Sequence, residues 1–201
     1  MNWKQLVDRC GLFVNANSRL LLNLLYEAEE ELTKECLLYE DEFTHTLQSE
    51  SSTINLPDID STEPSLKGST FVAPIQVIVN GTKIKAMHED EFYYQKNGSL
   101  HKGSPIGYSI KNKTINFSHI LKVSDVVKVL YYGMVRDHTD ISPRIPTVYH
   151  RDLCNYACYM SQIKDNPDIA SVFLNLWTQT LEKVKNAEGN RDQVYSIREE
   201  I

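Results

Sequence analysis

The sequence predicts an α+β protein in which helices from both ends of the chain form a bundle and a small antiparallel β domain is inserted between them. Three observations predict it. Amphipathic helical stripes fill the first 36 residues, two more fill 147–187, and the middle holds β-branched runs joined by Asn–Gly and Asn–Lys turns. Each helical pair carries an apolar face that must be buried, and the other pair is the nearest cover for it.

The elements follow in order. Asn2 caps a short helix with Trp3, Leu6, Val7 and Cys10 on one face, and Gly11 is expected to stop it. Asn17 or Ser18 caps a longer helix whose stripe is Leu20, Leu21, Leu24, Leu25, Ala28, Leu32 and Cys36. Glu27, Glu29, Glu30, Glu31 and Glu35 are expected on its solvated side. From Thr44 to Pro64 the chain turns polar, and Leu56–Pro57 and Glu63–Pro64 disfavour helix, so this stretch reads as a linker with at most an edge strand. Phe71–Val79 and Thr82–Ala86 flank Asn80–Gly81, whose two residues suit the positive φ angles of a type I′ hairpin turn. Met87–Tyr94 reads as one or two helical turns. Gly107–Lys111 and Thr114–Ser118 around Asn112–Lys113 form a second hairpin, and Val126–Tyr132 is an apolar central strand. A helix from about Thr147 to Lys164 follows. A last helix opens with Asn166 as cap and Pro167 at its first position. Its stripe is Ile169, Phe173, Leu176, Trp177, Leu181 and Val184, with Gly189 as the stop. The expected organisation is thus N-terminal helices over 1–43, a linker over 44–69, the β domain over 70–146, C-terminal helices over 147–187 and a flexible tail over 188–201.

At 201 residues the chain can bury a core without disulfides or a metal. No apolar run nears the ~18 residues of a membrane span, so no membrane partner is expected. MNWKQLVDRC has no apolar h-region, which argues against a secretory signal, and four scattered cysteines suggest a reducing compartment. The net charge of −6 is unevenly spread: residues 1–66 hold 4 basic and 13 acidic residues, and residues 67–150 hold 11 and 6. Such a split gives two surfaces of opposite sign, suited either to solvation or to head-to-tail contact between copies.

Chemistry is scarce. The phosphate-binding, dinucleotide-binding, nucleophile-elbow and zincin motifs are all missing. His150, Cys154 and Cys158 are spaced i, i+4, i+8, but residues eight apart on a helix rise by about 12 Å, too far to share one metal ion. The two cysteines read better as small core hydrophobes. Phe92, Tyr93 and Tyr94 beside Lys96, and Tyr131 and Tyr132 near Lys128, resemble a base-stacking platform, yet the pI of about 5.5 argues against a dedicated nucleic-acid binder. The sequence therefore yields no catalytic, cofactor-binding or metal-binding residue. One interaction candidate remains. Val194, Tyr195 and Ile197 form an apolar cluster between charges in the tail, of the kind that orders on a partner.

Several phrases carry a resemblance. These are LLLNLLYEAEEELTKE (20–35), INLPDI (54–59), VIVNGTKIKAMHEDEFY (77–93), GSPIGYSIKNKTINF (103–117), VVKVLYYG (126–133) and IPTVYHRDLCNYACY (145–159). Over about residues 3–187 the chain resembles the head-to-tail connector, or adaptor, proteins of tailed bacteriophages, best the podovirus-like ring proteins that include those of crAss-like phages. The resemblance implies a structural virion protein, not an enzyme. Copies would form a closed ring, dodecameric as in the family, between the portal and the tail or further ring proteins. Genomic DNA would pass through the lumen without sequence-specific binding. Localisation would be the head–tail junction of the virion, after assembly in the bacterial cytoplasm, and the tail cluster would meet the portal or a neighbouring copy. The rival readings are a small hydrolase with a cleft at the β domain, for which Asp90 and Glu91 are the obvious acid pair, and a monomeric adaptor or scaffold outside any virion.

Overall fold

The structure, a computed structural model, describes residues 1–56, 69–88, 92 and 102–198, with side chains through Ala187. It is α+β: four α-helices and a seven-stranded sheet are present among the described residues. The chain divides into two compact units, Met1–Tyr39 with Met134–Ile201, and Glu40–Gly133. The unit boundaries fall before 44 and before 147 because β1 starts at Tyr39 and the loop after the last strand packs with the helices.

In the first unit, α1 (Trp3–Cys10) begins in a complete capping box: the Gln5 N–H donates to Asn2 Oδ1 at 2.8 Å and the Asn2 N–H to Gln5 Oε1 at 3.0 Å. Gly11 ends it, but with right-handed backbone, so its freedom to adopt positive φ goes unused. Asn17 caps α2 (Ser18–Cys36), which closes on Leu37 in the left-handed region. Tyr149 and its neighbours form a short 3₁₀ turn (Thr147–Tyr149), and α3 starts only at Leu153 and ends at Gln162. The continuous helix expected over 147–164 is therefore broken in its first turn, and His150 does not share a helix with Cys154 and Cys158. Asn166 and Pro167 open α4 (Pro167–Arg198) where the sequence places them, with the Ile169 N–H on Asn166 Oδ1 at 3.4 Å.

Helix α2 lies against the other three helices, and α3 also touches α1 and α4. Their shared core holds Leu6, Leu21, Leu25, Leu32, Leu153, Ala157 and Trp177 among others. Gly189 does not stop α4, whose backbone stays helical to Arg198. A glycine inside a helix costs only about 1 kcal/mol relative to alanine, and the residues around it, Ala187, Glu188, Asn190 and Arg191, are all compatible with helix. The segment expected as a flexible tail thus has helical backbone through 198.

The second unit is built on the sheet, in the order β1-β7-β3-β4-β5-β6-β2. Strands β1 (Tyr39–Thr46) and β2 (Ser51–Asn55) lie at its edges and occupy much of the stretch read as helix end and linker. Strand β1 buries Phe43 between exposed Glu42 and Thr44, a pattern that hides it from hydrophobic periodicity. Hairpins β3–β4 (Ser69–Val79, Thr82–Ala86) and β5–β6 (Gly107–Lys111, Thr114–Leu121) form as expected, with positive φ at Asn80, Gly81, Asn112 and Lys113. The sheet departs from pure antiparallel pairing at β4–β5, which is parallel, Lys85 opposite Gly107 and Ala86 opposite Tyr108. The twenty residues between these strands give the long crossover that a parallel pair needs. In the short helix expected over 87–94, the Phe92 N–H donates to the His88 carbonyl at 2.9 Å, while Asp90, Glu91, Tyr93 and Tyr94 lie outside the described residues. Strand β7 (Val126–Val135) lies between β1 and β3, one place in from the edge, and its residues alternate between buried and less buried. The unit's core gathers Phe43, Val77, Phe117, Val127, Val129 and Tyr131.

A Cβ added at Gly81 meets nothing within 4 Å, so its φ of +81° is the whole constraint. Gly81→Val is expected to cost about 1–3 kcal/mol through backbone strain alone, read as a lower urea midpoint. Gly81→Asn, which tolerates positive φ, should recover most of it.

Candidate functional site

Helix α4 turns two different faces away from each other. Ala170, Trp177, Thr180 and Val184 are buried, with Phe173 and Leu181 packed beside them. Ile169, Val172 and Leu176, spaced i, i+3 and i+7, are exposed at 39, 57 and 40%. The stripe expected to be core therefore splits: its Ile169 and Leu176 face solvent, because the helix buries only the narrower seam around Trp177. Next to this seam the Phe13 ring meets Phe173 edge-on at 6.0 Å, and Leu12 beside it is 79% exposed. Exposed apolar residues that share one helix face form the kind of surface on which a partner can dock when the patch is large. Of the tail candidates Val194, Tyr195 and Ile197, the backbone is helical and the side chains lie outside the described residues.

The residues weighed for chemistry do not converge. Cys154 and Cys158 are buried, and Cys10 of α1 joins them. Hydrogen bonding to Cys154 pulls the Cys10 thiol down, but hydrogen bonding to Cys158 and burial outweigh it, and the thiol is pushed up to about 12. Hydrogen bonding to Cys10 and burial raise Cys154 as well. These are inert thiols, the opposite of nucleophiles. His150 is buried with Nε2 at 2.9 Å from the Ile145 carbonyl. Among the described residues no group of three His, Cys, Asp or Glu side chains is placed to hold a metal ion, and no helix is long and apolar enough to cross a membrane. The stacking platform is absent at Tyr131, which is buried against Phe71 with its hydroxyl 3.1 Å from Ser69 Oγ; Lys128 pairs with Glu42 at 2.7 Å. Phe92 is buried too, and Lys96 lies outside the described residues.

Sequence reasoning missed one polar centre. Glu29, expected on the solvated side of α2, is 1% exposed. It accepts hydrogen bonds from the N–H groups of Arg144 and Ile145, and its Oε2 lies 3.0 Å from His138 Nδ1. His138 Nε2 lies 3.3 Å from Glu30 Oε1, and Arg136 donates to Glu30 Oε2 at 2.7 Å. Thr33 reaches the end of β7 just before that loop, accepting the Val135 N–H at 3.2 Å. Three donors satisfy a carboxylate that burial would otherwise penalise heavily. A signal was present: Glu29 stands four residues after Leu25 and three before Leu32, on the core stripe itself.

A comparison with curated proteins finds no match. The family model of the SU10 adaptor protein matches residues 1–198, nearly the whole chain. Its span covers every strand and helix of the described residues, so the chain belongs to the SU10 adaptor protein family, a family of phage adaptor proteins.

Proposed function

We propose that this adaptor is a structural virion protein whose copies close into a ring, dodecameric as the resemblance implies, between the portal of the phage head and the tail. The carrying observation is the open stripe Ile169/Val172/Leu176 on α4 in a chain whose family is one of phage adaptors. A closed ring is a heterologous contact and needs two different, complementary surfaces. The stripe supplies apolar area for one of them, and the acidic first third and basic middle of the sequence supply charge that orients encounter. In this reading the helices act as a bundle that carries the contact surfaces. The net negative charge lets DNA phosphates slide through the lumen without sticking. Helical backbone through Arg198 suits Val194, Tyr195 and Ile197 to filling a groove on the portal or a neighbouring copy rather than to adding a strand.

The test is assembly on the cognate portal, followed by native mass spectrometry and electron microscopy. The wild type should form a closed ring on the portal. Leu176→Asp, and separately deletion of residues 190–201, should leave a folded protein with little change in melting temperature but lose or strongly weaken assembly, and Tyr195→Ala should reproduce part of the truncation defect. A truncated protein that still builds rings and infectious particles at normal yield removes the tail from the interface. Labelled virions that carry the protein on the shell or fibres overturn the reading as a whole.

A further inference from the structure

The loop between β7 and the 3₁₀ turn, residues 136–146, carries Ile141, 83% exposed, and is bound to α2 through His138 and the Arg144 N–H. Besides the Arg144 and Ile145 N–H groups on Glu29, one histidine ties the loop to both α2 carboxylates. His138 offers both ring nitrogens to carboxylates, Nδ1 to Glu29 at 3.0 Å and Nε2 to Glu30 at 3.3 Å. A neutral imidazole has one N–H and can donate to only one of them; the imidazolium donates to both. The ring is held face-on by Tyr26, parallel within 3° at 4.3 Å, and edge-on by Trp3 at 5.8 Å. Trp3 also grips the loop, its Nε1–H donating to the Asp140 carbonyl at 3.0 Å and its backbone N–H to the Ile141 carbonyl at 3.1 Å.

We propose that His138 is a proton-controlled latch, which as the imidazolium clamps the 136–146 loop and its exposed Ile141 onto α2 through Glu29 and Glu30 and lets the clamp loosen when it loses its proton. Helix α2 presents Glu29, Glu30 and the Tyr26 phenol, and α1 contributes the Trp3 ring. On the loop's own side Arg136 pairs with Glu30 at 2.7 Å, and Arg144 pairs with Asp140 at 2.7 Å and Asp137 at 3.3 Å. Burial alone would push the imidazole down, but the hydrogen bonds and charges of Glu29 and Glu30 outweigh it and His138 is raised above its ordinary value. The sign follows. The folded state holds this proton more tightly than the unfolded chain. The latch's contribution is therefore complete below the ordinary histidine value, about 6.5, and is lost as pH rises through the higher folded value.

Deprotonation leaves the ring one N–H for two carboxylates and takes the positive charge from between Glu29 and Glu30. Loosening thus acts where the Arg144 and Ile145 N–H groups are bound, not at a distance. The device concerns the loop alone and does not depend on ring formation.

The test is ¹⁵N NMR of the full-length protein across pH 5.5 to 9.5, with melting temperature followed in parallel. In the wild type both ring nitrogens of His138 should carry protons at pH 5.5, and the midpoint should lie above that of a free histidine. The Arg144 and Ile145 amide resonances should shift with the same midpoint. The melting temperature should fall through that window, by about 2–4 °C for each roughly fivefold loss in the folding equilibrium constant at this chain length, a fall that His138→Gln should flatten. Glu30→Gln, which keeps the Glu29 anchor, should move the midpoint down. A His138 midpoint at or below that of a free histidine, or Arg144 and Ile145 amides that ignore its titration, overturns the latch, and both are read on the wild type even where a variant fails to fold.

Discussion

Trp177→Ala lowers the stability of the helical unit by about 3–5 kcal/mol, the range for emptying a large aromatic site in a core. The indole is 3% exposed, clustered with Leu21, Leu25, Leu32 and Leu153, and meets the Tyr156 ring at 5.3 Å and 62°. Its Nε1–H lies 3.4 Å from Glu31 Oε1, long enough that packing rather than this bond dominates. Alanine here removes the side chain that closes the narrow seam between α4 and α2, and the seam has little else to collapse onto: Phe173 and Leu181 beside it are already part-exposed. Trp177→Phe keeps the ring contact with Tyr156 and should lose less than half as much. Equilibrium urea unfolding reads both. A loss below about 1 kcal/mol for alanine would mean that α4 is held elsewhere along its length. In the native protein, iodide should leave the Trp177 fluorescence largely intact.

The elements that were legible in the sequence share one property: local chemistry decides them. Asn2 with Gln5, Asn17, Asn166 with Pro167, and the turns at 80–81 and 112–113 each satisfy orphan backbone groups or positive φ within a few residues. The illegible ones depend on partners far along the chain. Strand β1 is a strand because β7 pairs with it, although only Phe43 marks a buried face. The pairing of β4 with β5 has no local signature. Leu37 takes a left-handed cap that sequence rules assign to glycine. Likewise Ile169 and Leu176 look like core by spacing, and only the packing of α4 reveals that the seam runs through Trp177 instead. At the polar centre the partners of Glu29 are more than a hundred residues away, at His138, Arg144 and Ile145, so its position on the core stripe was visible while its rescue was not.

That rescue sets the second large expected effect. Glu29→Ala should cost about 3–5 kcal/mol, as the removal of one partner from a buried charged pair does. Alanine leaves the Arg144 and Ile145 N–H groups without their acceptor and His138 with Glu30 alone, beside a carboxylate site that is 1% exposed. Glu29→Gln separates the two parts of that loss. Its amide oxygen can still take the backbone N–H groups, but its NH₂ faces His138 donor to donor, and the charge that holds the imidazolium is gone. It should therefore fall between the wild type and alanine, and it should lower the His138 midpoint where Glu29→Ala also loosens the backbone. Glu30→Ala gives the contrast. Its side chain is 23% exposed and its Arg136 partner 36%, so water can replace much of what is lost. Exposed pairs are worth about 0–1 kcal/mol. If Glu29→Ala and Glu30→Ala destabilise the protein equally in urea, the buried carboxylate is no anchor, and the 136–146 loop is held by Trp3 and Thr33 instead.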